Sequence, residues 1–269
     1  MLKIDYYGNI TRFELGRSLL GRWRYWTVAY LIDGLMIDTG CAHTARELAA
    51  ALDENSLRRI VNTHSHEDHI GGNDLLQRTR NRLEIFAHPR ALPILANPRD
   101  TQPLQPYRRL FWGYPMPSQG SALTEEARLE TEHHTFQVIY TPGHSPDHLC
   151  LYEPDKGWLF TGDAYTGGKD RAMQPGYDPW QIIVSLKHLA KLPSDKLFPG
   201  CARVRENPAR ALGDKIAYLE ETGEQVLDLH NRGWEIEKIA KKLFGGPMPV
   251  EFFTLGHFSR RNMVRAYLK

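Results

Sequence analysis

Asn62-Thr63-His64-Ser65-His66-Glu67-Asp68-His69-Ile70-Gly71-Gly72 sets three imidazoles and the carboxylate of Asp68 within six positions, directly after an apolar run. That run, Leu57 to Thr63, reads as a β-strand, and Ile70 to Arg80 reads as the helix that follows. A strand end running into a turn can aim His64 and His66 together, while Asp68 and His69, at the start of the helix, face a second point nearby. Two adjacent metal ions can be held in this way. Neutral imidazole and carboxylate suit Zn²⁺, with Zn–N contacts of about 2.0 Å, and also suit iron or manganese. A lone loop histidine is most often only solvated, but a cluster this dense has no evident packing use and matches what ligation requires.

Upstream of this segment, Ile4 to Ile37 holds short runs of Tyr, Trp, Val and Ile separated by Gly8, Gly21 and Gly34, the pattern of consecutive strands and hairpins. Ala42 to Leu52 suits a helix. Downstream, Leu83 to Ala87 is a strand, Pro89 opens a short helix, and Asn97 to Gln119 is a Pro-rich, aromatic-rich excursion without clear period. Phe136 to Tyr140, Leu149 to Glu153 and Trp158 to Thr161 form a second block of strands. A helix over Pro179 to Leu192, a short strand over Lys196 to Phe198 and a helix-rich tail from Asn207, broken at Gly233 and Gly245-Gly246-Pro247, complete the chain. Strands then helices, repeated once, suggest two similar α/β halves.

The bulk properties exclude several classes. Hydrophobic residues at 41% and charged residues at 25% disfavour disorder and membrane residence. Lys plus Arg at 34 nearly balances Asp plus Glu at 32, so no large basic field advertises nucleic acid or an anionic membrane. Three widely spaced cysteines, Cys41, Cys150 and Cys201, make a poor disulfide framework and point to a reducing cytoplasm. The N-terminus lacks the apolar stretch of a secretory signal.

The segment His64 to His69 resembles the His-x-His-x-Asp-His motif of the metallo-β-lactamase superfamily. Three further stretches resemble its other motifs in order: Leu35-Met36-Ile37-Asp38-Thr39-Gly40, Thr141-Pro142-Gly143-His144-Ser145 and Leu159-Phe160-Thr161-Gly162-Asp163. The resemblance covers roughly residues 1 to 205. It implies a four-layer αβ/βα sandwich as a catalytic domain over 1–206, with 207–269 as a helical C-terminal extension packed on it. It also implies two divalent metal ions, zinc first and iron or manganese as alternatives. His64, His66 and His144 would bind the first, Asp68 and His69 the second, and Asp163 would bridge them, with Asp38 in support and His148 hydrogen-bonding nearby. At the fifth motif, Leu197-Phe198-Pro199-Gly200-Cys201, the usual histidine is replaced by Cys201. A thiolate binds zinc well, so Cys201 is assigned to the second site, with His257, or a second site left weak or empty, as the alternatives.

The expected activity is hydrolysis of a small-molecule thioester, lactone or other acyl bond through a metal-bound hydroxide. Asp68 would orient the nucleophile or relay its proton, and Tyr165 would hydrogen-bond the substrate oxygen. Two aromatic and guanidinium-bearing segments, Gly21 to Trp26 and Tyr107 to Tyr114, suit either a substrate pocket or an oligomer interface. The alternatives are a nuclease or phosphodiesterase of the same fold, and a mononuclear iron oxidoreductase acting on a thiol-derived substrate. A small molecule is the expected partner, with neither membrane nor nucleic acid, and with self-association left open.

Overall fold

The computed structural model describes residues 1–19, 22–53, 57–125 and 127–269, with the backbone alone for 18–19 and 22–25. The first sheet runs β1 (Leu2–Tyr7), β2 (Ile10–Leu19), β3 (Arg22–Ile32), β4 (Leu35–Ile37), β5 (Arg59–Val61), β6 (Glu84–Ala87) and β7 (Ser121–Ala122), in spatial as in chain order. Its hairpin strands are antiparallel up to β4, and β4 to β7 are parallel. Helices α1 (Ala45–Ala51) and α2 (Asn73–Thr79) supply the crossovers, and the excursion after β6 carries α3 (Leu92–Ala96), α4 (Pro98–Thr101) and α5 (Pro106–Phe111). The second sheet comprises β8 (Arg128–Glu130), β9 (Thr135–Tyr140), β10 (Leu149–Glu153), β11 (Trp158–Gly162) and β12 (Lys196–Pro199), ordered β12-β11-β10-β9-β8. Helix α6 (Pro179–Leu189) precedes β12, and α7 (Pro208–Asn231), α8 (Ile236–Phe244), α9 (Pro249–Phe253) and α10 (Arg260–Tyr267) follow it.

Alternation along the strands explains the layering, because neighbouring residues point to opposite faces. In the first sheet Tyr30, Ile32, Leu35, Ile37 and Val61 face Phe136, Val138, Leu149, Leu151, Phe160 and Phe198 of the second, and together they fill the space between the sheets. The intervening Ala29, Met36 and Ile60 turn outward onto Leu48 and Leu76 of α1 and α2. On the far side Ile139, Cys150, Tyr152, Leu159 and Leu197 pack against α6, α7, α8 and α10. The result is the expected αβ/βα sandwich, in which the C-terminal helices share a core with the second sheet. Among the described residues no helix is long and apolar enough to cross a membrane.

Three local differences from the sequence reading have physical causes. Helix α2 starts at Asn73 rather than Ile70, because the Gly71-Gly72 turn lies so close to Cys41 and Ala42 that a Cβ on Gly71 would sit 2.2 Å from the Ala42 nitrogen. The excursion contains α4 and α5, each opened by a proline at its start but too short to show a helical period. Strands β7 and β8, of two and three residues, fall below what alternation can reveal.

The fold gathers the candidate ligands at one edge. Asp38 follows β4, His64 follows β5, His144 follows β9, Asp163 follows β11 and Cys201 follows β12, so each lies just beyond the carboxyl end of a strand, where α/β sheets present their ligand sites. Hydrogen bonds tie the two sheets together there: Leu149 N–H to the Thr63 carbonyl at 2.8 Å, Val28 N–H to the Gly200 carbonyl at 2.6 Å, and Tyr30 O–H to the Pro199 carbonyl at 2.7 Å.

Candidate metal centre

Asp38 organises the site from beneath. It adopts φ 59°, a left-handed conformation that is uncommon for any residue but glycine, and its buried carboxylate accepts three hydrogen bonds. Oδ1 receives the Thr63 N–H at 2.7 Å; Oδ2 receives the Thr63 hydroxyl at 2.8 Å and His69 Nδ1–H at 2.8 Å. Because the Thr63 hydroxyl gives its proton to Asp38, its oxygen accepts from His64 Nδ1–H at 3.0 Å. Both imidazoles therefore hold a proton on Nδ1 and turn Nε2 into the cleft.

His66 Nδ1 lies 3.0 Å from His64 Nε2 and 3.0 Å from His144 Nε2. A tetrahedral zinc with nitrogen ligands at about 2.0–2.1 Å separates neighbouring nitrogens by roughly 3.3 Å, so this trio has close to the required span. The ligand atoms of His64, His66 and His144 lie within 4.8 Å of one another, and so do those of His64, His69 and Asp163. Asp163 Oδ2 stands 3.7 Å from His144 Nε2 and 3.5 Å from His69 Nε2, between the two groups, and Asp68 Oδ2 is 4.0 Å from His69 Nε2. His69 Nε2 and Asp163 Oδ1 are buried without a hydrogen-bond partner. Buried polar atoms left in this state cost about 1–3 kcal/mol each, and a divalent cation, displacing any proton on His69 Nε2, satisfies them. The donor set fits the metals that the sequence implies.

The protonation preferences agree with that fit. Burial, reinforced by the neighbouring imidazoles, holds His64 and His66 well below the ordinary imidazole range, and burial brings His144 down to about 4, so all three are neutral at pH 7, as ligation requires. For His69, burial is outweighed by the carboxylates of Asp163, Asp38 and Asp68, which raise it well above its usual value. Asp163 is held low despite burial by His69 and His144. Burial first, and the Asp163 carboxylate next, push the Cys201 thiol well above its usual range. Without a cation this thiol stays protonated.

Close backbone approach keeps the centre compact. Gly162 has φ +46°, and a Cβ there would meet Thr63 Oγ1 at 2.7 Å and His148 Nε2 at 2.8 Å; a Cβ on Gly200 would meet Asp163 Oδ1 at 2.8 Å. His148 holds the Asp163 backbone: Asp163 N–H donates to His148 Nε2 at 3.1 Å, so His148 Nδ1–H donates to Thr141 Oγ1 at 2.8 Å. Both of its nitrogens are occupied, and it positions rather than ligates. Replacing Asp38 by Ala frees both His64 and His69 to turn, and metal affinity is expected to fall by about 10–100-fold. Competition with a chromogenic chelator measures this, and unchanged affinity would remove Asp38 from the supporting role.

The structure brings His64, His66, His69, His144 and Asp163 together, places Asp68 beside His69, and sets Cys201 in the wall of the same cavity. Tyr165 requires correction. It is buried in the core beneath the C-terminal helices, its hydroxyl accepts from Arg205 Nε at 3.2 Å, and it does not line the cavity at the centre. Tyr177 lies beside the candidate ligands instead, its ring 4.5 Å from that of His144 and its hydroxyl 3.4 Å from His144 Nε2. His257 hydrogen-bonds Tyr107 O–H at 3.0 Å and belongs to neither ligand group.

Of the two aromatic segments, Tyr107, Arg108 and Trp112 line the cavity, whereas Gly21 and the side chains of 22–25 lie outside the described residues. Sequence reading also missed the partnership of Glu67 with Arg108. Glu67 is fully buried and accepts from Arg108 Nε at 2.5 Å, and Arg108 reaches Gln174 Oε1 at 3.3 Å, so the excursion is clamped over the motif loop.

Comparison with known proteins agrees with this geometry. The sequence model of the metallo-beta-lactamase superfamily matches residues 27–201. The chain is 32% identical over 175 residues to a hydroxyacylglutathione hydrolase of Aeromonas hydrophila, covering 64% of this chain and 58% of that one. It is 26% identical over 199 residues to an atrochrysone carboxyl ACP thioesterase of Aspergillus fumigatus, covering 72% and 55%. The chain thus spans less than two thirds of the length of these relatives. In structure it superposes on a metallo-beta-lactamase family protein from Thermus thermophilus with a TM-score of 0.67 at 19% identity, covering 96% of this chain and 90% of that one. The family model covers more than half of the chain, and the chain belongs to the metallo-beta-lactamase superfamily.

Proposed function

We propose that the chain is a metal-dependent hydrolase of a small-molecule thioester, lactone or other acyl bond. The observation that carries this reading is the position of His66 Nδ1, 3.0 Å from two other imidazole nitrogens, with the Asp163 carboxylate 3.7 Å from His144 and 3.5 Å from His69. His64, His66 and His144 would hold the first cation and Asp68, His69 and Cys201 the second, zinc in each case, with Asp163 available to both. When bound, such ions lower the pKa of water and polarise a carbonyl oxygen. Asp68 accepts the proton of the attacking water on a carboxylate oxygen. Tyr177, kept protonated because burial raises it well above its ordinary range, donates its O–H towards the substrate oxygen.

An acyl substrate is preferred over a phosphodiester because the cationic side chains described in the cavity wall are already paired. Arg108 binds Glu67 at 2.5 Å and Lys215 binds Asp170 at 2.7 Å, which leaves little positive charge to track a nucleic-acid backbone. The names of the two relatives, a hydroxyacylglutathione hydrolase and an ACP thioesterase, favour the same class. A reducing, cytoplasmic setting is part of the proposal, since Cys41, Cys150 and Cys201 are all free thiols. Chelation is expected to lower the turnover of S-acyl glutathione or lactone substrates by at least about 100-fold, and Zn²⁺ to restore it. Turnover that survives complete metal removal would overturn the proposal.

A further inference from the structure

We propose that the C-terminal segment forms the far wall of an acyl-binding cavity, and that the acyl group it takes is an apolar chain of medium length. This rests on the hydrolase reading above and specifies its substrate. A cavity of about 340 Å³, within the range of small-molecule sites, opens from His66, Asp68, His144 and Asp163. Away from those ligands most of its exposed wall surface is apolar, with Arg108, Thr166, Asp170, Gln174, Lys215 and Thr254 as its polar members. Met173 and Ile182 come from the segment after β11 and from α6, while Val250 of α9 and Phe258 of the turn before α10 come from the C-terminal helices.

The wall is in place before substrate arrives. Met173 and Ser259 exchange two backbone hydrogen bonds, at 3.2 and 3.0 Å, which stitch the loop after β11 to the turn carrying Phe258. Arg260, buried to 2% exposure, donates Nε to Glu251 at 2.8 Å and Nη1 to the Gly245 carbonyl, and so fixes α9 against the end of α8. A preformed apolar wall binds an apolar group without the cost of ordering loops.

The orientation of the substrate follows from its polarity. The thiol half of a biological thioester carries amides and charges, which lose their hydrogen bonds in an apolar cavity at a cost of about 1–3 kcal/mol each on protein scales. The acyl chain therefore lies between Met173, Ile182, Val250 and Phe258, with the carbonyl at the metal ligands and the thiol half towards the mouth. The paired states of Arg108 and Lys215 argue against a free anionic group on the buried half.

The test is kcat/KM for a series of N-acetylcysteamine thioesters from acetyl to dodecanoyl, with the zinc-loaded wild type, Val250→Trp and Phe258→Ala. The wild type is expected to gain roughly fourfold per added methylene until the cavity is filled, and then to decline. Val250→Trp should move the maximum at least two carbons shorter and Phe258→Ala should move it longer, opposite shifts that misfolding cannot produce. Measurable turnover that is flat across the series, or maxima that both variants leave in place, would overturn the acyl cavity while leaving the hydrolase. No turnover of any thioester or lactone by the zinc-loaded wild type would overturn both.

Discussion

His66→Ala is expected to lower kcat/KM by at least about 10³-fold and to release the cation held with His64 and His144. His66 supplies the nitrogen that stands 3.0 Å from each of the other two, so its loss leaves a pair of imidazoles where three converged. A bound cation contributes several kcal/mol of charge stabilisation, and about 4 kcal/mol corresponds to the stated factor. Steady-state assays run beside a zinc titration check this. A variant that keeps both its metal content and its turnover would eliminate the ligand assignment.

Arg108→Ala should be the most damaging change for stability among the residues of the cavity. It leaves Glu67, fully buried within the motif loop, without the guanidinium that binds it at 2.5 Å, and breaking a buried ion pair from one side costs about 3–5 kcal/mol. The loss should depend on pH in a fixed direction. Burial already raises the Glu67 carboxyl above its ordinary value, with Arg108 opposing, and removing Arg108 raises it further. A carboxyl whose folded pKa lies above its unfolded one binds more protons in the folded state, so stability is lost as pH rises through the folded value. The variant should therefore be more destabilised near pH 8 than near pH 6. Adding Glu67→Gln should remove most of that dependence. Chemical denaturation at the two pH values decides, and an equal, small loss at both would show the pair to be superficial.

The two results concern parts of the site that are unequally visible in the sequence. Three histidines and Asp68 packed into six positions after a strand can be recognised locally, and the alternation around Tyr30, Met36, Val61 and Phe160 encodes which side of each sheet is covered. The clamp of Arg108 on Glu67 spans 41 residues and joins a short helix without a detectable period to a motif position that carries no ligand. No local pattern announces it. Tyr165 illustrates the converse. Its place two residues after Asp163 suggests a role at the metal, but Arg205, 40 residues away, holds its hydroxyl, and Tyr177, in an irregular segment, reaches the site instead.

The replacement of the usual histidine by Cys201 is plain from the sequence, and its consequence depends on geometry. Its thiol lies in the cavity wall beside Asp163, where burial and that carboxylate keep it protonated until a cation arrives. Zinc ligation by Cys201 would release that proton, which would couple the second site to pH more strongly than the first.

Anomalous X-ray scattering at the zinc edge, from crystals of the zinc-loaded protein, tests the central claim most directly. The account predicts one peak within about 2.0–2.1 Å of His64 Nε2, His66 Nδ1 and His144 Nε2, and a second about 3.5–4 Å away beside His69, Asp68 and Cys201, with Asp163 touching both. A zinc peak confined to an exposed cluster such as Asp33, Glu132 and His133, with the buried imidazoles merely hydrogen-bonded to one another, would contradict it.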